Sequence, residues 1–396
     1  MGAIRWAKDA ASCEMAVMSL CSRAALLVVP LTCSCGRASA PQRELPPKSP
    51  EISSAAAPEH GPSAAPSAVA MDAGPASAPA SLTFDPVPLP GVTAHAAVDF
   101  IAYESGHERV WVPVGNTGSV DVFDIATRAF TAIGGFPTKE IEVKGSKRMM
   151  GPSSVSIGEG FAYVGNRATR EVCPVSTTTL KIGTCLKVAS APDAVAYVAS
   201  GKEVWVTTPR DQAIVVFDAS KPDALRAKAT LRLDGAPECY AVDDSRGLFF
   251  TNLEDNDKTV VIDVKTHKAT ATWNLACSSE GPRGIAVDTK RGFVYVACTD
   301  QVLVLGGTNN GSQLAKLDTG AGVDNIDWLQ ARQLLYVAAG KSARLTVAHV
   351  DDSGQPSVVA TGATPDGTRN AVADGNGAVY AVDRANARLL VFGHSR

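Results

Sequence analysis

From about residue 82 onward the chain is a succession of short apolar runs separated by Gly, Asp, Asn and Pro. The runs alternate apolar with polar positions or stay apolar for four to six residues. Examples are residues 120–124 (VDVFD), 214–218 (IVVFD), 259–263 (TVVID), 344–349 (RLTVAH) and 389–392 (LLVF). β-Branched and aromatic residues bounded by turn formers read as strands. No amphipathic helix of three turns is apparent after residue 90. The stretch 260–300 carries the whole phrase: a Gly/Pro turn, an alternating strand ending near Asp, a tight turn with Gly, an aromatic strand, a polar loop and a Val-rich strand.

The phrase repeats. Anchored on its aromatic strand, the copies centre on Trp111, Tyr163, Trp205, Phe250, Tyr295, Tyr336 and Tyr380, spaced 52, 42, 45, 45, 41 and 44 residues apart. Four strands per period near 45 residues is the signature of propeller blades. A lone four-stranded sheet cannot bury both faces, and stacking around an axis solves that. The sequence therefore predicts an all-β, seven-bladed β-propeller. Tyr380 lies 16 residues before the end of the sequence, which leaves room for the third strand of blade seven but not the fourth. Residues 82–89 (LTFDPVPL) are predicted to supply that outer strand and close the ring, their prolines suiting an edge.

The first fifth of the chain has a different character. Residues 1–37 read as a targeting segment. An apolar run at 24–32 follows Arg23 and is too short to span a bilayer. Met15 and Met18 compete with Met1 as the start. Cys33 and Cys35 are candidate lipidation sites, and Ala38-Ser39-Ala40 is an alternative cleavage site for secretion. Residues 38–81, rich in Ala, Pro and Ser, are expected to be a disordered tether reaching roughly 35–40 Å. The domain plan is thus targeting segment 1–37, tether 38–81 and propeller 82–396. The expected location is the cell envelope or periplasm, with a lipid anchor rather than a spanning helix; secretion is the alternative.

Charge narrows the partners. A net charge of −3, with 19% charged and 45% hydrophobic residues, gives no footprint for nucleic acid. Export permits disulfides. Cys173 and Cys185 fall on neighbouring outer strands of blade two and are paired. Cys277, ending blade four, is paired with Cys298, after the aromatic strand of blade five. Cys239 remains as a buried free thiol. No CxxC, His cluster, phosphate loop or Ser/His/Asp constellation is present, so no catalytic residue, metal site or cofactor is assigned.

The connections into the inner strands carry the candidate site. Asp193, Glu238, Arg283, Asp324, Asn325, Arg369 and Asn370 should ring the mouth of the central channel, with His95 near the corresponding place in blade one. Loops after the aromatic strands add Asn116, Asn166, Arg167, Arg210, Glu254, Asp255, Asp300, Lys341 and Arg384. Such a ring suits a small zwitterionic or anionic ligand gripped by forked arginines, or a protein surface. The competing reading is a water-filled channel whose charges neutralise one another. Residues 137–152, with Lys139, Lys144, Lys147, Arg148 and the pair Met149-Met150, are expected to form a solvated charged loop with its methionines on the rim.

Phrases such as GPSSVSIGEGFAYVGNRA, ECYAVDDSRGLFFTNLEDNDKTVVIDVKTHKATATWNLAC and GPRGIAVDTKRGFVYVACTD resemble the YncE/YVTN family of bacterial propellers over roughly residues 85–396. Residues 249–252 (FFTN) come closest to the family's strand motif. The resemblance implies a seven-bladed fold and export, and it carries no catalytic residues. The function expected is a non-enzymatic binding or interaction module. A propeller hydrolase, lactonase or lyase, and a structural envelope protein, are the alternatives.

Overall fold

The computed structural model describes residues 78–393 except 144, 278–280 and 309. The expected targeting segment, with Cys33 and Cys35, and nearly all of the expected tether lie outside the described residues. Two short strands come first, β1 (Ala80–Leu82) and β2 (Phe84–Pro88). Blade one is β3 (Ala102–Glu104), β4 (Arg109–Val114), β5 (Ser119–Asp124) and β6 (Ala129–Ile133). A separate hairpin follows, β7 (Lys139–Val143) and β8 (Ser146–Met150). Blade two is β9 (Pro152–Gly158), β10 (Phe161–Asn166), β11 (Glu171–Ser176) and β12 (Leu186–Lys187). Blade three is β13 (Val195–Val198), β14 (Glu203–Thr208), β15 (Ala213–Asp218) and β16 (Arg226–Arg232). Blade four is β17 (Pro237–Asp243), β18 (Leu248–Leu253), β19 (Lys258–Asp263) and β20 (Lys268–Asn274). Blade five is β21 (Ile285–Asp288), β22 (Phe293–Ala297), β23 (Gln301–Gly306) and β24 (Ser312–Asp318). Blade six is β25 (Val323–Leu329), β26 (Leu334–Ala339), β27 (Arg344–Val350) and β28 (Pro356–Ala363). Blade seven is β29 (Ala371–Ala373), β30 (Val379–Asp383) and β31 (Arg388–Phe392).

Closure takes the predicted route and adds a second joint. β2 pairs antiparallel with β31, from Phe84 opposite Phe392 to Pro88 opposite Arg388, and supplies the fourth strand of blade seven. The residues just before it do something else. β1 pairs in parallel with β28, Ala80 opposite Ala360 and Leu82 opposite Gly362, as a fifth strand on blade six. The described strands therefore start at Ala80, within the span expected to be tether, and Leu82 belongs to blade six.

Seven apolar clusters hold the ring, one at each joint between adjacent blades. The seven aromatics that set the repeat are each 2% exposed or less, which places them in these joints. Tyr163 of blade two stacks on Tyr197 of blade three at 5.6 Å, and Trp205 of blade three stacks on Phe249 of blade four at 4.5 Å. The two indole N–H groups buried this way donate to carboxylates: Trp111 to Glu104 and Trp205 to Glu203, both at 2.7 Å. A buried donor needs such a partner.

Both disulfides have the expected pairing. Cys173–Cys185 lies within blade two, and Cys277–Cys298 joins blade four to blade five. Cys239 is free and buried, its thiol donating to Asn325 Oδ1 at 3.1 Å. The 137–152 connection differs from expectation. It is the β7–β8 hairpin, not an irregular loop, because Lys139 to Val143 and Ser146 to Met150 pair along their length. It leans on solvent more than on core, with Lys147 to Glu140 at 2.8 Å in the open and Met149 38% exposed.

Candidate ligand-binding mouth of the channel

Each inner strand lines the channel and runs into it from the mouth, so the residue just before each inner strand, or at its start, stands on the rim. Asp99, Asp193, Glu238, Arg283 and Asp324 each precede the aromatic of their own blade (Trp111, Trp205, Phe250, Tyr295, Tyr336) by twelve positions. Blade two breaks the series with Gly151. Its backbone lies so close to blade one that a Cβ there would stand 2.2 Å from the Gly115 carbonyl oxygen. Asp99 was missed by sequence reasoning, which put His95 in this part of blade one. The twelve-residue register would have found it. His95 does line the mouth, but beside Arg384 rather than in the ring.

The ring is a chain of shared guanidinium groups. Arg167 donates to Asp99 at 2.5 Å and also to Asp193. Arg369 lies 3.0 Å from the other Asp99 oxygen and 3.2 Å from Asp324. Arg283 turns toward Glu254 at 2.5 Å and stands 3.8 Å from Glu238. These arginines are therefore already engaged by protein carboxylates, and the forked anion clamp expected at Arg283 and Arg369 is occupied from within.

The sharing is uneven, and the carboxyls respond. Burial opposes the Asp99 charge, but Arg167 and Arg369 outweigh it and hold the group below the usual carboxylate range. Asp193 has only Arg167. Burial, with Asp99 and Asp324 adding like charge, pushes it up to about 6. Glu238 fares worst: burial first, then Asp193, Glu254 and Asp324, push it up to about 9, so it carries a proton at neutral pH. Asp324 is also raised, by burial against the pull of Arg369.

Across the ring the imbalance has the opposite sign. Arg384, in the turn between β30 and β31, touches the Ala96 carbonyl oxygen at 3.4 Å and His95 Nε2 at 3.5 Å. Burial and the charge of Arg369 lower its pKa, despite help from Asp99 and Asp324. His95 is lowered by burial, Arg384 and Arg148. Blade four faces the joint between blades seven and one in a ring of seven. The mouth is thus bipolar, acidic around Glu238 and basic around Arg384. It encloses about 1030 Å³, with the inner face of the hairpin, from Ser146 to Met150, forming part of the wall.

Asn325 and Asn370 sit one position deeper than the ring, lining the channel with Cys239 and Phe100. The Asn325 N–H donates to the Arg369 carbonyl oxygen at 3.2 Å. Asn370 is 2% exposed, and among the described residues neither its side-chain nitrogen nor its oxygen has a hydrogen-bond partner. Asn166 is also buried but is spent on structure, donating to the Pro137 carbonyl oxygen at 3.0 Å where the hairpin departs.

No family model and no curated protein sequence matches the chain. Solved structures do. A chain of a mitotic checkpoint complex superposes with a TM-score of 0.62 at 14% identity, covering 78% of this chain and 92% of that one. Hydrazine synthase of Kuenenia stuttgartiensis gives 0.64 at 14% identity, covering 78% and 99%. Virginiamycin B lyase of Staphylococcus aureus gives 0.60 at 9% identity, covering 79% and 99%. At these identities the likeness is one of fold, and propellers host unrelated functions. The sheets and the comparisons agree that this chain is a seven-bladed β-propeller.

Proposed function

We propose that the chain is an exported binding module that takes a small polar partner at the channel mouth and does no chemistry on it. The observation that carries this is the bipolar mouth around a cavity of about 1030 Å³, where carboxyls crowd one wall so closely that Glu238 holds its proton and Arg384 stands on the other wall with no ion-pair partner among the described residues. A channel serving only as a structural axis would gain from neutral or fully paired residues, since burying an imperfectly paired charge is costly. The arginine–carboxylate network fixes the walls in place, which suits recognition. Export is supported by the two disulfides, which persist in oxidising compartments, and by the apolar run and cysteines before residue 37. Kinship with the YncE/YVTN propellers is part of the same reading, resting on the strand phrases. Attachment through a lipid on Cys33 or Cys35 completes it.

The test is thermal unfolding of the full chain against small anions, amines and zwitterions. A ligand at a hundredfold excess over its Kd should add about 2.7 kcal/mol of stability, so a saturable rise in Tm is expected with at least one class. A flat response to all three would sink the reading. Lipid attachment is checked separately by palmitate labelling, which should be lost when Cys33 and Cys35 are both replaced by Ala.

A further inference from the structure

Resting on the binding reading above, we infer that the mouth takes a short peptide with free ends, its amino terminus at Glu238 and its carboxylate at Arg384. The cavity supplies the room, and the two walls supply the order. Glu238 stands on blade four, while Arg384 stands at the joint of blades seven and one, on the far side of the ring. A single α-amino acid carries its charges on one carbon and cannot address opposite walls, whereas a di- or tripeptide holds them apart.

The ends have unspent partners. The ion pair of Glu238 with Arg283 is long, 3.8 Å, because Arg283 is committed to Glu254. Arg384 has no carboxylate within ion-pair distance among the described residues, and its contacts with Ala96 and His95 are 3.4 and 3.5 Å. An inorganic anion would use one end of this arrangement only. Glu238 must release its proton to meet an ammonium group, so binding near neutral pH is coupled to proton release.

The experiment is titration calorimetry of the full chain with trialanine, N-acetyl-trialanine and trialanine amide, beside acetate, phosphate and ethylamine. Trialanine should bind at least tenfold more tightly than either blocked form, with a heat that changes between buffers of different ionisation enthalpy. Glu238→Gln should abolish discrimination against the acetylated peptide and keep it against the amide. Arg384→Gln should do the reverse. The blocked-peptide comparison needs no variant, so a misfolded variant does not decide the matter. Equal binding of free and blocked peptides, or binding of acetate, phosphate or ethylamine without trialanine, would overturn the inference and leave the mouth as a binding site. No binding of any of the six would overturn both.

Discussion

Asp121 shows what one buried carboxyl does to this fold. It is fully buried on β5, accepts a hydrogen bond from the Ser119 hydroxyl at 2.8 Å, and its second oxygen has no partner among the described residues. Burial pushes its pKa up to about 6. A raised pKa means the folded state prefers the proton, so the stabilisation is complete below the unfolded value near 4 and is lost as pH climbs through 6. The loss is about 3 kcal/mol by pH 8. Urea unfolding between pH 4 and 8 should show wild type falling relative to Asp121→Asn by about that amount. For Glu238 the corresponding wild-type-minus-Gln difference should begin in the same range but keep growing past pH 6 until pH is near 9, which separates the two groups. Gly151 makes a steric prediction. A methyl group there meets the Gly115 carbonyl, so Gly151→Ala should destabilise by about 1–3 kcal/mol in the same assay. In the ring itself, the register exposed five of the rim residues to sequence reasoning, Asp99 included had the counting been extended. Which carboxylate each arginine would choose was not legible. Arg167 serves Asp99 and Asp193 across blade boundaries, and only the assembled ring decides that.

At the level of elements, the blades were legible because β14, β18 and β22 bury nearly every residue and so read as unbroken apolar runs. The β7–β8 hairpin was not. Ser146 to Lys147, Arg148 and Met149 are all exposed, and a strand without a buried face leaves no alternation to read. That exposure has a consequence for stability. Replacing residues 139–150 by a short Gly/Ser link should change the free energy of unfolding by less than about 1 kcal/mol, since surface ion pairs such as Lys147–Glu140 contribute little. Denaturant midpoints of the two proteins would check it. The Cys277–Cys298 bridge should matter more. It links two blades, and replacing both cysteines by Ala should cost about 3 kcal/mol by loop-closure entropy. If reduced and oxidised protein unfold at the same urea concentration, the bridge is idle.

For the whole molecule, the ring has one seam, where strands from the two ends of the propeller meet. Sequence counting found that seam because blade seven lacked a strand. It did not find β1, since three residues paired in parallel to β28 leave no distinctive pattern. Deleting residues 78–88 should strip both β28 and β31 of their outer neighbours. Such bare edges pair with other chains. The expected outcome is a lower Tm together with concentration-dependent association in sedimentation velocity, and a monomer of unchanged Tm would contradict it. The same seam also fixes a timetable. β2 leaves the ribosome early, but its partner β31 begins 300 residues after β2 ends, at Arg388. At about 5–20 residues per second, that strand waits roughly 15–60 s for a partner. Pro86 and Pro88 withhold two N–H groups from any stranger during the wait, so the residues that finish the ring also keep the unfinished chain to itself.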